Sequence, residues 1–298
     1  MNNVKNLVIL VLSAIVILQA GLLLYFLRRS QAPVRKKPVV ARPAPLPAEK
    51  LPVVRPQEAE PVSPVAERPK PRPEVVTGKI ALIIDDWGYN MRNKSFLEDD
   101  DMPVTIAILP FQEYSREAAE LAHRHGKEVI IHMPMEPHHK EQYGLETNTL
   151  LTTMDSSQIV SLMDEAFAQI PYAKGINNHM GSKATEDTRV MRIVIGYLKR
   201  RGLFFVDSMV TPKSVGRTVA KSMHEKFASR DIFIDNENGE TYIREQLVKV
   251  ARLAKQNGVA VAIGHDRPHT VAVLKEMIPA FEEQGYEFIG ISEVIKDL

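Results

Sequence analysis

Two adjacent carboxylates, Asp85 and Asp86, close the apolar run Ile80-Ala81-Leu82-Ile83-Ile84 and are followed by Trp87-Gly88. Such a run predicts a buried parallel strand that delivers both acids to one rim of a sheet, the rim on which α/β architectures place chemistry. Successive strand side chains point to opposite faces, so the pair is expected to divide labour, one acid holding a metal and the other acting as a base. Capping of the next helix is the competing role for Asp86.

The ends of later predicted strands carry polar residues in the same way. His132 lies in Ile131-His132-Met133-Pro134-Met135, and His179 in Asn177-Asn178-His179-Met180-Gly181-Ser182. Asp207 sits in Val206-Asp207-Ser208 and His265 in Ile263-Gly264-His265-Asp266-Arg267. In a β/α barrel these points converge on one face. One carboxylate with two imidazoles is a common ligand set for zinc or a similar divalent ion, with positions left for water and substrate. Asp86, His132 and His179 are the natural trio, which leaves Asp85 as general base and His265 as the acid that protonates a leaving amine. Asp207 is expected to orient His265 or tune a neighbour. The bland alternatives are a satisfied core histidine at His132 and helix caps at His265 and Asp207. The tandem His138-His139 falls in a predicted exposed loop, and His123, His125, His224 and His269 fall on or beside predicted helices as surface residues.

The elements that must position these groups are legible as alternating β-rich runs and amphipathic helices from residue 79 onward. Strands are predicted at 80–85, 104–109, 128–133, 174–177, 203–207, 231–235, 259–264 and 286–290, and helices at 115–125, 157–170, 187–201, 240–256 and 269–284. Apolar residues three and four apart, such as Leu247, Val250, Ala251 and Leu253, mark helical faces. Gly126, Gly202, Gly258 and Gly285 stand where helices should stop. Seven or eight β/α units in one body predict an α/β fold, a distorted (β/α)7-8 barrel, with a doubly wound sheet as the second choice.

Two segments precede this body. Residues 7–27 are uncharged and apolar, and at ~1.5 Å per residue they would span roughly 30 Å, a bilayer core. Bulky residues persist to the end of the stretch, which favours an uncleaved anchor in residues 1–29 over a signal peptide. Residues 30–78 hold twelve of the 20 prolines and read as a disordered spacer, able to extend up to roughly 150 Å at ~3.1 Å per residue. Five basic residues follow the anchor (Arg28, Arg29, Arg35, Lys36, Lys37) against Lys5 before it, a distribution that by itself would hold the body in the cytoplasm. Net charge is +1, which predicts no nucleic-acid partner, and the absence of cysteine excludes thiolate metal sites and thiol catalysis.

The ordered segments IALIIDDWGYN, IHMPM, GINNHMGSKAT, FFVDS and AIGHDRPHT together resemble the divergent polysaccharide deacetylases. These are a bacterial branch of the deacetylase superfamily that includes the nodulation-type chitooligosaccharide deacetylases, and the resemblance covers most of residues 79–298. It implies a distorted barrel of the deacetylase type, a divalent metal such as zinc, and hydrolysis of N-acetyl groups on a glycan of the cell envelope. The anchor and the spacer lie outside the resemblance; the anchor predicts a single-pass inner-membrane protein, and the resemblance implies that its body is extracytoplasmic. Asp85 matches the family's base, Asp86 and His132 its metal ligands, and His265 its acid. Two motifs are missing. Glu136 stands four residues after His132 where a second histidine is usual, so His179 is assigned as the other imidazole. The arginine-proline-aromatic motif that orients the base is replaced by Asn177-Asn178-His179-Met180-Gly181-Ser182. These departures raise two rivals: a non-catalytic envelope protein that binds glycan or a wall-remodelling partner, and a metal-dependent esterase or phosphoesterase.

Overall fold

The structure, a computed structural model, describes residues 76–142 and 144–297. The expected anchor and nearly all of the proline-rich spacer lie outside the described residues. Among the described residues no helix is long and apolar enough to cross a membrane.

Strands β1 (Gly78–Trp87), β2 (Thr105–Ile108), β3 (Glu128–Met135), β4 (Gly175–Met180), β5 (Phe204–Asp207), β6 (Lys226–Ser229), β7 (Ile232–Phe233), β8 (Val259–His265), β9 (Tyr286–Ile289) and β10 (Lys296–Asp297) form one sheet. Its order is β10-β6-β5-β4-β3-β2-β1-β8-β7, with β9 paired to the first half of β1. Every pairing is parallel except that of β10 with β6. Helices α1 (Lys94–Leu97), α2 (Ser115–Arg124), α3 (Ser156–Gln169), α4 (Thr188–Arg201), α5 (Gly216–Met223), α6 (Glu240–Asn257) and α7 (Pro268–Glu283) connect the strands. Local chemistry sets several of their ends. Asp155 and Gln158 form a reciprocal capping box at the start of α3, and the Asp187 carboxylate caps Val190 N–H in α4. Gly202 ends α4 in the left-handed region at φ 68°, its N–H returning to Leu198 and Lys199 carbonyls.

Strand alternation sorts the core into two layers. Ile80, Leu82, Ile84, Ile106, Val129 and Ile131 face the helices in one large cluster. Ala81, Ile83, Ala107, Ile130, Phe204, Val206, Val261 and Ile263 form a second, smaller cluster to which no α-helix contributes. Helices therefore cover only one face, which excludes the doubly wound alternative. The sheet curls around the inner cluster. At its seam the hydrogen bonding changes sides between consecutive residues: Arg230 N–H bonds Asp207 O at 3.0 Å, and Asp231 N–H bonds Val261 O at 2.9 Å. One chain segment thus pairs with β5 through β6 and with β8 through β7. The predicted strand at 231–235 is the second half of that segment; β6, β10, α1 and α5 lie outside the predicted elements.

Candidate active site

The inner face of the sheet ends in chemistry at its C-terminal rim. Ala81, Ile83 and Asp85 share one phase of β1; Ile130 and His132 share one phase of β3; Asn177 and His179 continue β4; Val261, Ile263 and His265 continue β8. The apolar stripe that fills the interior therefore becomes polar only where it reaches the opening. Of the seven non-glycine residues with positive φ among those described, Asp86, Phe111, His139, Met180 and Met209 lie at or just beyond C-terminal strand ends. Such backbone costs on the order of 1–3 kcal/mol per residue, and its concentration at one rim marks that rim as functional.

The expected division of Asp85 and Asp86 to opposite faces does not occur. Asp86 takes φ 66° at an irregularity in the β1–β2 register between Ile84 and Trp87, which ends the two-residue alternation. Both carboxylates consequently reach one imidazole: His132 Nε2 is 3.6 Å from Asp85 Oδ2 and 3.4 Å from Asp86 Oδ1. They still differ in environment. Burial pushes the Asp85 carboxyl above its ordinary range, with His132 and His265 opposing. Burial acts the same way on Asp86, but His132 and His179 outweigh it and hold that carboxyl well below the carboxylate range.

Asp86, His132 and His179 offer ligand atoms that all lie within 4.8 Å of one another. Asp86 Oδ1 is 3.2 Å from His179 Nδ1 and 3.4 Å from His132 Nε2, and the two nitrogens are 3.1 Å apart. A tetrahedral zinc site with bonds of ~2.0–2.1 Å has ligand–ligand edges of ~3.3–3.4 Å, so the triangle is nearly of coordinating size. Asp86 Oδ1 is moreover buried and accepts no hydrogen bond. An orphaned carboxylate oxygen beside two converging imidazole nitrogens fits a divalent cation.

Asn177, fully buried, links His132 to Asp85. His132 Nδ1–H donates to Asn177 Oδ1 at 2.8 Å, and Asn177 Nδ2 donates to Asp85 Oδ1 at 2.8 Å. The first bond fixes the His132 tautomer and leaves Nε2 free to coordinate. His179 reaches the cluster because β4 pairs with β3 in register, His132 opposite Asn177 and Pro134 opposite His179. Gly181 then turns the chain away at φ 89°, where a Cβ would lie 2.8 Å from that of Met135. Glu136 is no ligand. Four residues along a strand is ~13 Å, too far from His132 to share an ion. Glu136 is instead buried, accepting from Thr152 N–H and hydroxyl and from the Lys140 and Lys183 ammoniums. Those bonds overcome burial and hold its carboxyl down at about 2.

His265 lies opposite Asp85 in the β1–β8 register. Its orienting partner is Asp235, not Asp207. His265 Nδ1–H donates to Asp235 Oδ1 at 2.7 Å, while Asp235 Oδ2 accepts from His265 N–H and the Thr270 hydroxyl. Burial opposes protonation of His265, but Asp235 raises its pKa. Asp207 shares the phase of Phe205, an outer-core residue, and its oxygens are taken by Met209 N–H and the Ser214 hydroxyl. Neither Asn177 nor Asp235 was singled out from sequence. Asp235 met the same strand-end test as the others, and Asn177 shares the β4 phase of His179. Phe233 stacks on the His265 ring at 5.7 Å between centroids, and the Arg230 guanidinium covers Phe233 at 3.8 Å. His138 and His139 stand apart from the ligand cluster, His138 bonded to Glu186.

Residues 82–295 match the family described as divergent polysaccharide deacetylase. Among curated proteins, YibQ of Escherichia coli (strain K12), described as uncharacterized, is 39% identical over 68% of this chain and 63% of its own length. The chain thus spans under two thirds of that relative. An uncharacterized protein of Haemophilus influenzae Rd is 34% identical over 66% of this chain and 70% of its own. A crystal structure of an uncharacterized protein from Agrobacterium tumefaciens C58 has the same fold, with a TM-score of 0.71 at 21% identity, over 75% of this chain and 92% of that one.

Proposed function

The chain belongs to the divergent polysaccharide deacetylase family, and from that premise we propose that it is a metal-dependent hydrolase removing N-acetyl groups from a cell-envelope polysaccharide. The observation that carries this reading is the triangle of Asp86 Oδ1, His132 Nε2 and His179 Nδ1, flanked by Asp85 and His265. A divalent ion held there, zinc being the expected one, would polarise the acetamide carbonyl and acidify an attacking water.

The remaining roles belong to the protein's own groups. Asp85, made more basic by burial and aligned by Asn177, accepts the proton of the attacking water at its carboxylate. His265, whose protonated form Asp235 favours, donates a proton to the departing amine nitrogen. Asn177 keeps His132 and Asp85 in fixed relation, as the absent arginine motif would otherwise do for the base. An envelope glycan as substrate goes with an extracytoplasmic body, residues 79–298, carried by an anchor in residues 1–29 and a spacer in residues 30–78 at the inner membrane.

Metal analysis and acetate release from N-acetylglucosamine polymers test the proposal. The expected result is one equivalent of metal and measurable acetate. Asp86→Ala and His179→Ala should lose both, whereas Asp85→Asn should keep the metal and lose turnover. A chain that takes up no metal and frees no acetate would be a non-catalytic envelope protein. Metal uptake with activity on simple esters alone would mean an esterase.

A further inference from the structure

One short stretch of chain holds His265 at two points. Asp235 accepts its Nδ1–H at 2.7 Å, and Phe233 lies on its ring with 5.7 Å between centroids and 22° between planes. Phe233 and Asp235 are two residues apart, in the same phase of the segment that carries β7, so both reach one side chain of β8. The two contacts restrain different motions. A single hydrogen bond fixes one ring atom and leaves the imidazole free to swing about it, whereas a flat contact on the ring face removes that swing. Phe233 is itself only half-buried, and its own cover is the guanidinium of Arg230, 3.8 Å from the ring centroid.

Arg230 is fixed in turn from the other side of the seam. Its Nε donates to Ser208 O at 2.7 Å and its Nη2 to Met209 O at 2.9 Å, both in the loop after β5. Met209 takes φ 50° there. Ser208 is tied to β4, its N–H donating to Asn178 Oδ1 at 2.9 Å and its hydroxyl to Asn178 O at 3.0 Å. Asn178 stands between Asn177 and the ligand His179. A chain of contacts therefore runs from β4 through Ser208, Arg230 and Phe233 to His265. It crosses the barrel where β5 pairs with β6 and β8 with β7, so it adds a side-chain tie at the point where the sheet changes partners. A planar guanidinium suits this place, because it can donate within its plane to two carbonyls while stacking on a ring.

We propose that Arg230 is a positioning residue for His265: by tying Phe233 to the loop after β5, it fixes the plane of the imidazole relative to Asp86, His132 and His179. The inference rests on the deacetylase reading for the reaction that His265 serves.

The experiment uses the zinc-loaded full-length chain, wild type and the variants Arg230→Ala, Arg230→Lys and Phe233→Leu. It records kcat and KM on the N-acetylglucosamine tetramer, the rate on a chromogenic acetyl ester, and zinc affinity by chelator competition. The ring-proton signals of His265 are followed by NMR, assigned with His265→Gln. An activated ester needs no acid for its leaving group, so it reports on the metal and Asp85 but not on His265. A general defect of the scaffold would slow both substrates alike. Arg230→Ala should lower kcat on the tetramer about 10–100-fold, the order that misplacing a reacting group by about 1 Å costs, with KM, zinc affinity and the ester rate held. The His265 ring protons should also lose the upfield shift that Phe233 imposes. Phe233→Leu should match these effects, and the double variant should lose no more than the worse single, since both act through one contact. Arg230→Lys keeps the charge without the planar fork and should fall between wild type and Arg230→Ala. An unchanged His265 signal, an unchanged kcat, or equal losses on tetramer and ester would overturn the assignment. A wild type that frees no acetate would overturn the deacetylase reading instead. The ring signal would then decide alone, its loss in Arg230→Ala upholding the positioning role and its persistence refuting it.

Discussion

Replacing Asn177 should separate metal affinity from turnover, because its amide serves a ligand on one side and a base on the other. Asn177→Ala deletes the acceptor for His132 Nδ1–H and the donor to Asp85 Oδ1, each a 2.8 Å bond in a fully buried site. Each stranded group costs about 1–3 kcal/mol, so the metal-free chain should lose about 2–6 kcal/mol of stability. With the His132 ring no longer held, zinc affinity should fall about 10–100-fold, the usual effect of losing a partner behind a metal-bound imidazole. Asn177→Asp behaves differently. Its carboxylate can still accept the Nδ1–H and should preserve zinc affinity, but it removes the donor to Asp85 and sets a like charge beside it, so turnover should collapse. The assay is competitive zinc titration against a chromophoric chelator, paired with acetate release. Wild-type zinc affinity in Asn177→Ala, or full turnover in Asn177→Asp, would refute the reasoning.

Three further outcomes follow from the same geometry. Burial disfavours a charged His132, yet the Asp85 and Asp86 carboxylates raise its pKa to about 8 against an ordinary 6.5. In the metal-free chain this contributes about 2 kcal/mol that is complete below pH 6.5 and lost as pH rises through 8; denaturant titrations across that window should record the loss, and apparent zinc affinity should climb about tenfold per pH unit until it levels near pH 8. Glu136, at about 2 against an ordinary 4.5, contributes about 3 kcal/mol that is present above pH 4.5 and disappears as pH falls toward 2. Glu136→Gln should flatten that acid limb in thermal melts without changing zinc stoichiometry. Asp235→Asn should lower kcat by about 10²–10⁴-fold through misorientation and deprotonation of His265, with zinc affinity unaltered; unchanged kcat would remove His265 from proton transfer.

Much of the body could be read from residue order alone. Runs such as Ile80–Ile84 and helices with apolar residues three and four apart are local patterns, and local patterns carry their own periodicity. Polar residues at strand ends picked out Asp85, Asp86, His132, His179 and His265, because parallel β/α connectivity leaves little choice about where those ends meet. His179 was legible for the same reason, as an imidazole at the end of a predicted strand. What chain order cannot specify is the phase and backbone strain at each rim. Asp207 looked equivalent to the other strand-end acids, but it shares the phase of Phe205 and turns outward. Asp235, two residues beyond Phe233 on the far half of a strand that changes partners, takes its place beside His265. The positive φ of Asp86 likewise overrode the alternation that should have parted it from Asp85. Composition and periodicity are properties of the chain, and they settled an α/β body with a carboxylate-and-imidazole rim. Which atoms face one another depends on register across strands remote in sequence, a long-range property that only the folded sheet decides.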